Sequence, residues 1–120
     1  MEYPSKNDFF LRFKALFNEK GQFVDYILIN VSDNFKETVN IKPELLIGRR
    51  VSEIILENEN IIFGIKDFYY HMIPKTRRKF ENHIKELDRW YLINIFSDDK
   101  DYLTLFYSDI TKIKSVTKKF

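Results

Sequence analysis

The sequence predicts an α+β domain: an antiparallel sheet of about five strands, with short helices and one longer helix packed on one face. Apolar residues alternate at every second position in two segments before residue 32 and in three segments after residue 78. The region between them carries helix start and stop signals instead. Runs of strands separated by a run of helices are typical of this class. Since 120 residues form one core, we expect a domain over 9–109, an N-terminal extension over 1–8 and the start of a C-terminal linker helix over 110–120.

The composition excludes several classes of site. There are no cysteines, which rules out disulfides, cysteine-ligated metals and a cysteinyl flavin cofactor. Only two histidines are present, too few for a histidine-rich metal site. Lys and Arg number 20 against 18 Asp and Glu, so the chain lacks the positive field of a nucleic-acid-binding protein. Because no apolar run is long enough to span a membrane, we expect a cytoplasmic protein without membrane insertion in this segment.

The first two strands form a predicted hairpin. Residues 9–17 place apolar side chains on one face: Phe9, Leu11, Phe13, Ala15 and Phe17. Residues 18–21 supply a turn in which Gly21 can take a positive φ. Residues 22–31 resume the alternation, with one face formed by Phe23, Asp25, Ile27 and Ile29 and the other by Val24, Tyr26 and Leu28.

Three short helices are predicted next. Ser32 can accept a hydrogen bond from a free N–H of a first turn, and the helix then continues to about Val39. Asn40 tolerates the left-handed conformation that ends such a helix. Two further helical segments are predicted over 42–46 and 51–56.

A longer amphipathic helix is predicted over 60–73. On a helical wheel its apolar side chains form one stripe: Ile61, Ile65, Phe68, Tyr69 and Met72. Pro74 ends it.

Three strands follow, over 79–87, 89–97 and 102–109. A helix capped by Asp109 is predicted from residue 110. In the middle strand Trp90, Leu92 and Phe96 alternate with Tyr91, Ile93 and Ile95, so both faces are apolar. An aromatic face on the far side of the sheet requires cover. We therefore expect a flanking helix or a partner subunit, in a homodimer, at Trp90, Leu92 and Phe96.

Several motifs together resemble the PAS sensory domains of bacterial signalling proteins. The matching segments are 21–26, 31–35, 46–53, 87–91 and 109–114, so the resemblance covers about residues 9 to 114. The most specific element is Asp-Ile-Thr at 109–111, followed by a lysine-bearing helix. The chain departs from the family pattern at Ser32, where Asn is common, at Asn40, where Gly is common, and near 76–78, where a glycine is absent.

The resemblance implies a sensory or interaction module of a larger signalling protein. Its output domain, in the same polypeptide, would be a histidine kinase, a diguanylate cyclase or a transcription regulator of a two-component or related system. Asp109, Ile110 and Thr111 would form the signal junction, where the last strand becomes the linker helix.

A small-molecule ligand would occupy a pocket between the sheet and the long helix. The candidate lining is Ile65, Phe68, Tyr69, Met72, Tyr91, Ile93 and Ile95. A filled aromatic core is the favoured alternative, because so many large side chains are available to fill space. Haem ligation by His71 is disfavoured, since His71 lies on the flank of the apolar stripe. The sequence identifies no cofactor and no metal site.

Two other functions remain open. The domain could be a ligand-free dimerisation module that uses the aromatic outer face. It could also be a small-pocket enzyme of the isomerase-like α+β type, with Asp25 or Asn94 as the polar residue in the pocket. The enzyme is disfavoured because the chain carries no nucleophile motif, phosphate loop or Ser-His-Asp set, and we expect no catalytic residues.

Overall fold

The computed structural model describes residues 6–57, 77–85, 87–99 and 101–117. Its strands are β1 (Phe9–Phe17), β2 (Phe23–Val31), β3 (Arg77–Ile84), β4 (Arg89–Asp99) and β5 (Tyr102–Asp109). Its helices are α1 (Phe35–Val39), α2 (Val51–Glu57) and α3 (Thr111–Thr117), with a 3₁₀ turn at Pro43–Leu45. The long helix predicted over 60–73 lies outside the described residues.

The five strands form one sheet in the order β2-β1-β5-β4-β3, and every neighbouring pair is antiparallel. This confirms the predicted α+β, PAS-like fold class. The first and last strands meet in the middle of the sheet, where β1 pairs with β5 and Phe9 lies opposite Tyr107. The segment before β1 is thereby placed beside the end of β5.

The core lies on one face of the sheet, called here the inner face. Phe9 stacks on Tyr107 with ring centroids 4.4 Å apart and meets the edge of Tyr91 at 5.5 Å. Helix α1 covers this cluster through Phe35, whose ring lies 5.9 Å from that of Phe9. Helix α2 adds the buried side chains of its first turns to the same core. The aromatic packing on the inner face thus joins the first and last strands to α1.

Strand β2 departs from the predicted alternation. The register with β1 shifts twice, leaving Val24 and Ile29 without a direct partner, which is the geometry of β-bulges. Phe23 and Tyr26 consequently face the same side, with ring centroids 4.7 Å apart, while Val24 is 49% exposed. The prediction of two regular faces for residues 22–31 was wrong, because period two fails wherever a bulge adds a residue.

Strand boundaries in the second half differ modestly from the prediction. Strand β3 ends at Ile84 instead of 87, since the chain turns at Asp88, which has a φ of 50°. Strand β4 runs two residues further than predicted, whereas the bounds of β1 and β5 are confirmed.

Of the two predicted caps of α1, the structure confirms the C-terminal one and not the N-terminal one. Asn40 has the left-handed conformation (φ 63°), and its N–H donates to the carbonyl of Lys36 at 2.8 Å, which confirms the predicted C-terminal cap. The predicted N-terminal cap was wrong. The Ser32 hydroxyl accepts the N–H of Phe10 at 3.1 Å, and the Ser32 N–H donates to the Phe10 carbonyl. Ser32 therefore continues the pairing of β1 with β2, and Asn34 precedes the helix instead.

Candidate functional site

The Asp109 carboxylate, at the end of β5, accepts hydrogen bonds on both oxygens. Oδ1 accepts the backbone N–H of Thr111 at 2.9 Å and its hydroxyl at 2.6 Å. Oδ2 accepts the Asn7 amide at 3.1 Å and the Arg89 guanidinium at 2.9 Å. The side chain of Asp109 is only 7% exposed. One carboxylate thus joins the segment before β1, the start of β4 and the start of α3; we call these contacts the junction network.

The segment before β1 is fixed to the same place by further bonds. The Asp8 carboxylate accepts the backbone N–H of Asp109 at 2.7 Å. The Tyr91 hydroxyl donates to the Asn7 carbonyl at 2.9 Å. On the other side of the segment, the Asn34 amide donates to the carbonyls of Lys6 and Asp8. Residues 6–8 therefore bridge α1 and the junction network.

The start of α3 is bonded to the start of β4. The backbone N–H of Trp90 donates to the Thr111 hydroxyl at 3.0 Å, and the N–H of Ile110 donates to the Trp90 carbonyl at 2.8 Å. Together with the bond from Thr111 to Asp109, these contacts define the angle at which the helix leaves the sheet. They confirm the sequence prediction that Asp109 caps this helix.

The electrostatics favour an ionised Asp109. Burial alone would raise the pKa of Asp109, but the bonds from Thr111 and Asn7 and the charge of Arg89 together lower it below its usual value. Burial, and secondly the negative charge of Asp109, raise the pKa of Tyr91 well above its usual value. Tyr91 therefore keeps its proton and remains a hydrogen-bond donor to Asn7 at physiological pH.

Helix α3 also contacts the outer face of the sheet, on the side opposite the core. The Lys114 ammonium lies 5.0 Å from the centroid of the Trp90 ring and forms an ion pair with Glu81 on β3. His83, the cross-strand partner of Trp90 on β3, has its ring 5.5 Å from the Trp90 ring. One residue of the expected outer-face patch is thus covered by a helix of the same chain.

The other two residues of the expected patch, Leu92 and Phe96, are half-buried. Leu92 and Phe96 alternate with the fully buried Ile93 and Ile95 along β4, so the predicted division of the strand into two faces is confirmed. Phe10 and Phe106 pair across β1 and β5 on this outer face. The structure thus brings Leu92 and Phe96 onto one surface with Phe10 and Phe106.

The predicted pocket lining falls into two parts. Tyr91, Ile93 and Ile95 lie on the inner face with no exposed surface. The other candidates, Ile65, Phe68, Tyr69 and Met72, lie outside the described residues, as does His71. The pocket between sheet and long helix therefore stays a prediction.

The two polar residues considered for catalysis are not brought together. Asp25 is buried on β2, where its carboxylate accepts the Ser52 hydroxyl of α2 and the N–H of Tyr26. Asn94 lies on the outer face of β4, three strands away in the sheet order. One Asp25 oxygen thus holds α2 through Ser52, and the other bonds within β2 to the N–H of Tyr26.

Within the ranges described above, no group of three or more His, Cys, Asp or Glu side chains is placed to hold a metal ion. In the same ranges no helix is both long and apolar enough to cross a membrane.

Sequence reasoning predicted neither the place of Asn7 in the junction network nor the bonds by which Asp8 and Asn34 fix the segment before β1 beside it. Residues 1–8 are polar and show no apolar periodicity, so the sequence predicts only an extension there. The one sign in the sequence of a polar contact there is that an amide and a carboxylate side chain directly precede the first strand. Arg89 belonged to a matching motif, but its role as the partner of Asp109 was not predicted.

Comparisons with known proteins are sparse. No family model matches the chain, and no curated protein matches it. Among solved structures, the chain is similar to a domain of an HTR-like protein from Haloarcula marismortui, with 17% sequence identity and a TM-score of 0.47. The match covers 88% of this chain and 99% of that one. The PAS resemblance therefore rests on the sequence motifs and on the sheet architecture.

Proposed function

We propose that this chain is a sensory or interaction module of a larger signalling protein, which passes the state of a ligand or partner to an output domain through α3. A histidine kinase, diguanylate cyclase or transcription regulator would be the output. The observation that carries the proposal is the junction network, because a single buried carboxylate fixes how the helix leaves the sheet. The PAS-like motif at 109–111 supports the same role.

The network offers a route from the core to the helix. Tyr91 packs against Phe9 and Tyr107 in the core, and its hydroxyl holds the Asn7 carbonyl. The Asn7 amide in turn holds Asp109. A ligand that shifts Tyr91 would alter the bonds at Asp109 and favour a second arrangement of α3. Such a device needs two arrangements that lie close in free energy, so that a modest differential affinity changes their populations.

The test is the variant Asp109→Ala in the protein that joins this chain to its output domain. We expect the domain to remain folded, and we expect the activity of the output domain to differ from that of the wild type. Asp33→Ala is the matched control, because Asp33 is an exposed carboxylate just before α1. Unchanged output in Asp109→Ala would contradict the proposal.

The nature of the signal needs a separate measurement. Mass spectrometry of the purified protein under native conditions would detect a co-purified small molecule. A bound molecule supports ligand sensing, and an empty protein supports sensing of a partner or the dimerisation function below.

A second candidate function is favoured by the outer face. Phe10, Phe106, Leu92 and Phe96 lie on the outer face around Asn94, and a second copy of the chain would cover these apolar side chains in a homodimer. Sedimentation velocity would compare the wild type with Phe96→Glu and Trp90→Glu. Phe96→Glu is the sharper variant, since Trp90 also contacts α3. A dimer that dissociates in Phe96→Glu supports this function, whereas a wild-type monomer contradicts it.

A further inference from the structure

Two grooves flank the segment before β1, and they differ in charge. One groove, of about 510 Å³, lies between this segment, the start of β4 and the first turn of α3. Its charged side chains are Lys6, Arg89, Lys112 and Asp109. The other groove, of about 630 Å³, faces α1 and its charged side chains are Lys6, Asp33 and Glu37. Only the first groove has an excess of positive charge.

The single carboxylate of the first groove, Asp109, balances the charge of Arg89, with which it forms an ion pair, and the charges of Lys6 and Lys112 remain in excess among the lining residues. Both oxygens of Asp109 already accept two hydrogen bonds each, and the side chain is almost fully buried. The Arg89 side chain is 40% exposed. It gives one N–H of its five to Asp109, so further donors remain at the groove. Lys6 and Lys112 are exposed and line the same groove. Three cationic groups from three separate segments therefore surround one space.

The backbone of the helix contributes little to this site. The N–H of Thr111 donates to Asp109, and the Thr111 hydroxyl is engaged with Asp109 and with the N–H of Trp90. Recognition would rest on side-chain ammonium and guanidinium groups, whose bonds to an anion are charge-assisted.

We propose that this groove binds a compact small-molecule anion with at least two negative charges, of the phosphate or polycarboxylate type. Such an anion bridges Lys6, Arg89 and Lys112, and so ties α3 to the segment before β1 and to β4. Binding would hold the helix in the arrangement seen here. The effect of the anion on output rests on the proposed function above, but the binding itself does not.

Isothermal titration calorimetry of the full chain tests the site with inorganic phosphate and with citrate, each at constant ionic strength set by NaCl. We expect saturable binding of at least one of the two, and the stronger of them identifies the anion type. Lys112→Glu should weaken binding at least about tenfold, since it replaces a charge-assisted contact with repulsion. Lys20→Glu is the matched control, because Lys20 is an exposed lysine in the β1–β2 turn at the opposite end of the sheet. Thermal unfolding of both variants verifies that they are folded, and Lys112→Gln serves as a milder version.

Hydrogen exchange gives a second readout. The N–H of Lys114 donates to the carbonyl of Ile110 in the first turn of α3, and its exchange should slow when the anion binds. Absence of saturable binding for both anions, or equal weakening by Lys112→Glu and Lys20→Glu, would overturn the proposal. The two proposals can fail separately. If the anion binds but Asp109→Ala leaves output unchanged, the signalling role is refuted and the anion site is still supported.

Discussion

Two turns of the molecule are each organised by one side chain, with partners at very different distances along the sequence. In the β1–β2 turn, Asn18 Oδ1 accepts the N–H groups of Lys20 and Gln22, both at 2.9 Å. All its partners lie within four residues. At the junction, Asp109 is bonded to Asn7 and Arg89, which are 102 and 20 positions away. The first turn can form alone, whereas the second exists only when the sheet is assembled.

This difference has an energetic consequence. Asn18 is exposed, and water replaces any bond that it loses. Asp109 is buried, so its removal leaves the donors of Arg89, Asn7 and Thr111 without their acceptor. Damage at the hairpin should stay local, and damage at the junction should reach every segment that meets there.

The largest effect is expected for Asp109→Ala. Loss of a buried carboxylate that accepts four hydrogen bonds should lower the free energy of unfolding by about 3 kcal/mol. Asp109→Asn should lose less, because its amide oxygen still accepts. Urea unfolding followed by circular dichroism measures both variants, with Asp33→Ala as the control that stays within about 0.5 kcal/mol of wild type. A loss no larger than that of the control would remove the junction from the elements that stabilise the fold.

The stability of the protein should depend on pH through the same carboxylate, Asp109. The folded-state pKa of Asp109 lies below its unfolded value of about 3.9, so its contribution to stability is present above that pH and is lost as the pH falls through the folded pKa. Urea midpoints measured from pH 6 to pH 2 should therefore decrease more steeply in wild type than in Asp109→Asn. Identical slopes would show that another group causes the acid sensitivity.

A smaller and confined effect is expected for Asn18→Ala. Its side chain satisfies two backbone N–H groups in an exposed turn, so the loss should be about 1 kcal/mol. Hydrogen exchange should accelerate at Lys20 and Gln22 while the N–H of Lys114 keeps its wild-type rate. Acceleration at Lys114 as well would contradict the separation of the two turns.

The smallest effect is expected for Asn40→Gly, at the end of α1. Asn40 has a φ of 63°, a conformation that glycine adopts without strain. Asn40→Gly should change stability by no more than about 0.5 kcal/mol, and Asn40→Ala should lower it by about 1 kcal/mol. Thermal unfolding distinguishes the two, and equal values would show that the backbone conformation there is unstrained for alanine.

Features that depend on neighbouring residues could be predicted from the sequence. The β1–β2 turn, the bounds of β1 and β5, and the cap of α3 by Asp109 all follow from short patterns. The bulges at Val24 and Ile29 could not be predicted in this way. The register shift there is determined by pairing with β1, and nothing in residues 22–31 indicates it. Ser32 was misassigned for the same reason, because its hydroxyl bonds to a strand that precedes it by more than twenty residues.

Only residues 109–111 of the candidate site could be predicted from the sequence. Asp109, Ile110 and Thr111 form one motif, so their local bonding could be inferred. Asn7 and Asp8 join them because the topology places the start of β1 beside the end of β5. Strand order is a property of the whole sheet, and polar side chains outside a periodic segment give no sign of which strand they will meet.

The contact between Lys114 and Trp90 has an optical consequence. Trp90 is the only tryptophan of the chain, and a cation from α3 lies over its indole ring. Movement of the helix away from the sheet would expose the indole to water and shift its emission to longer wavelength. The protein thus carries an intrinsic fluorophore at the point where its last helix meets the sheet, and no label is needed to follow that helix in real time.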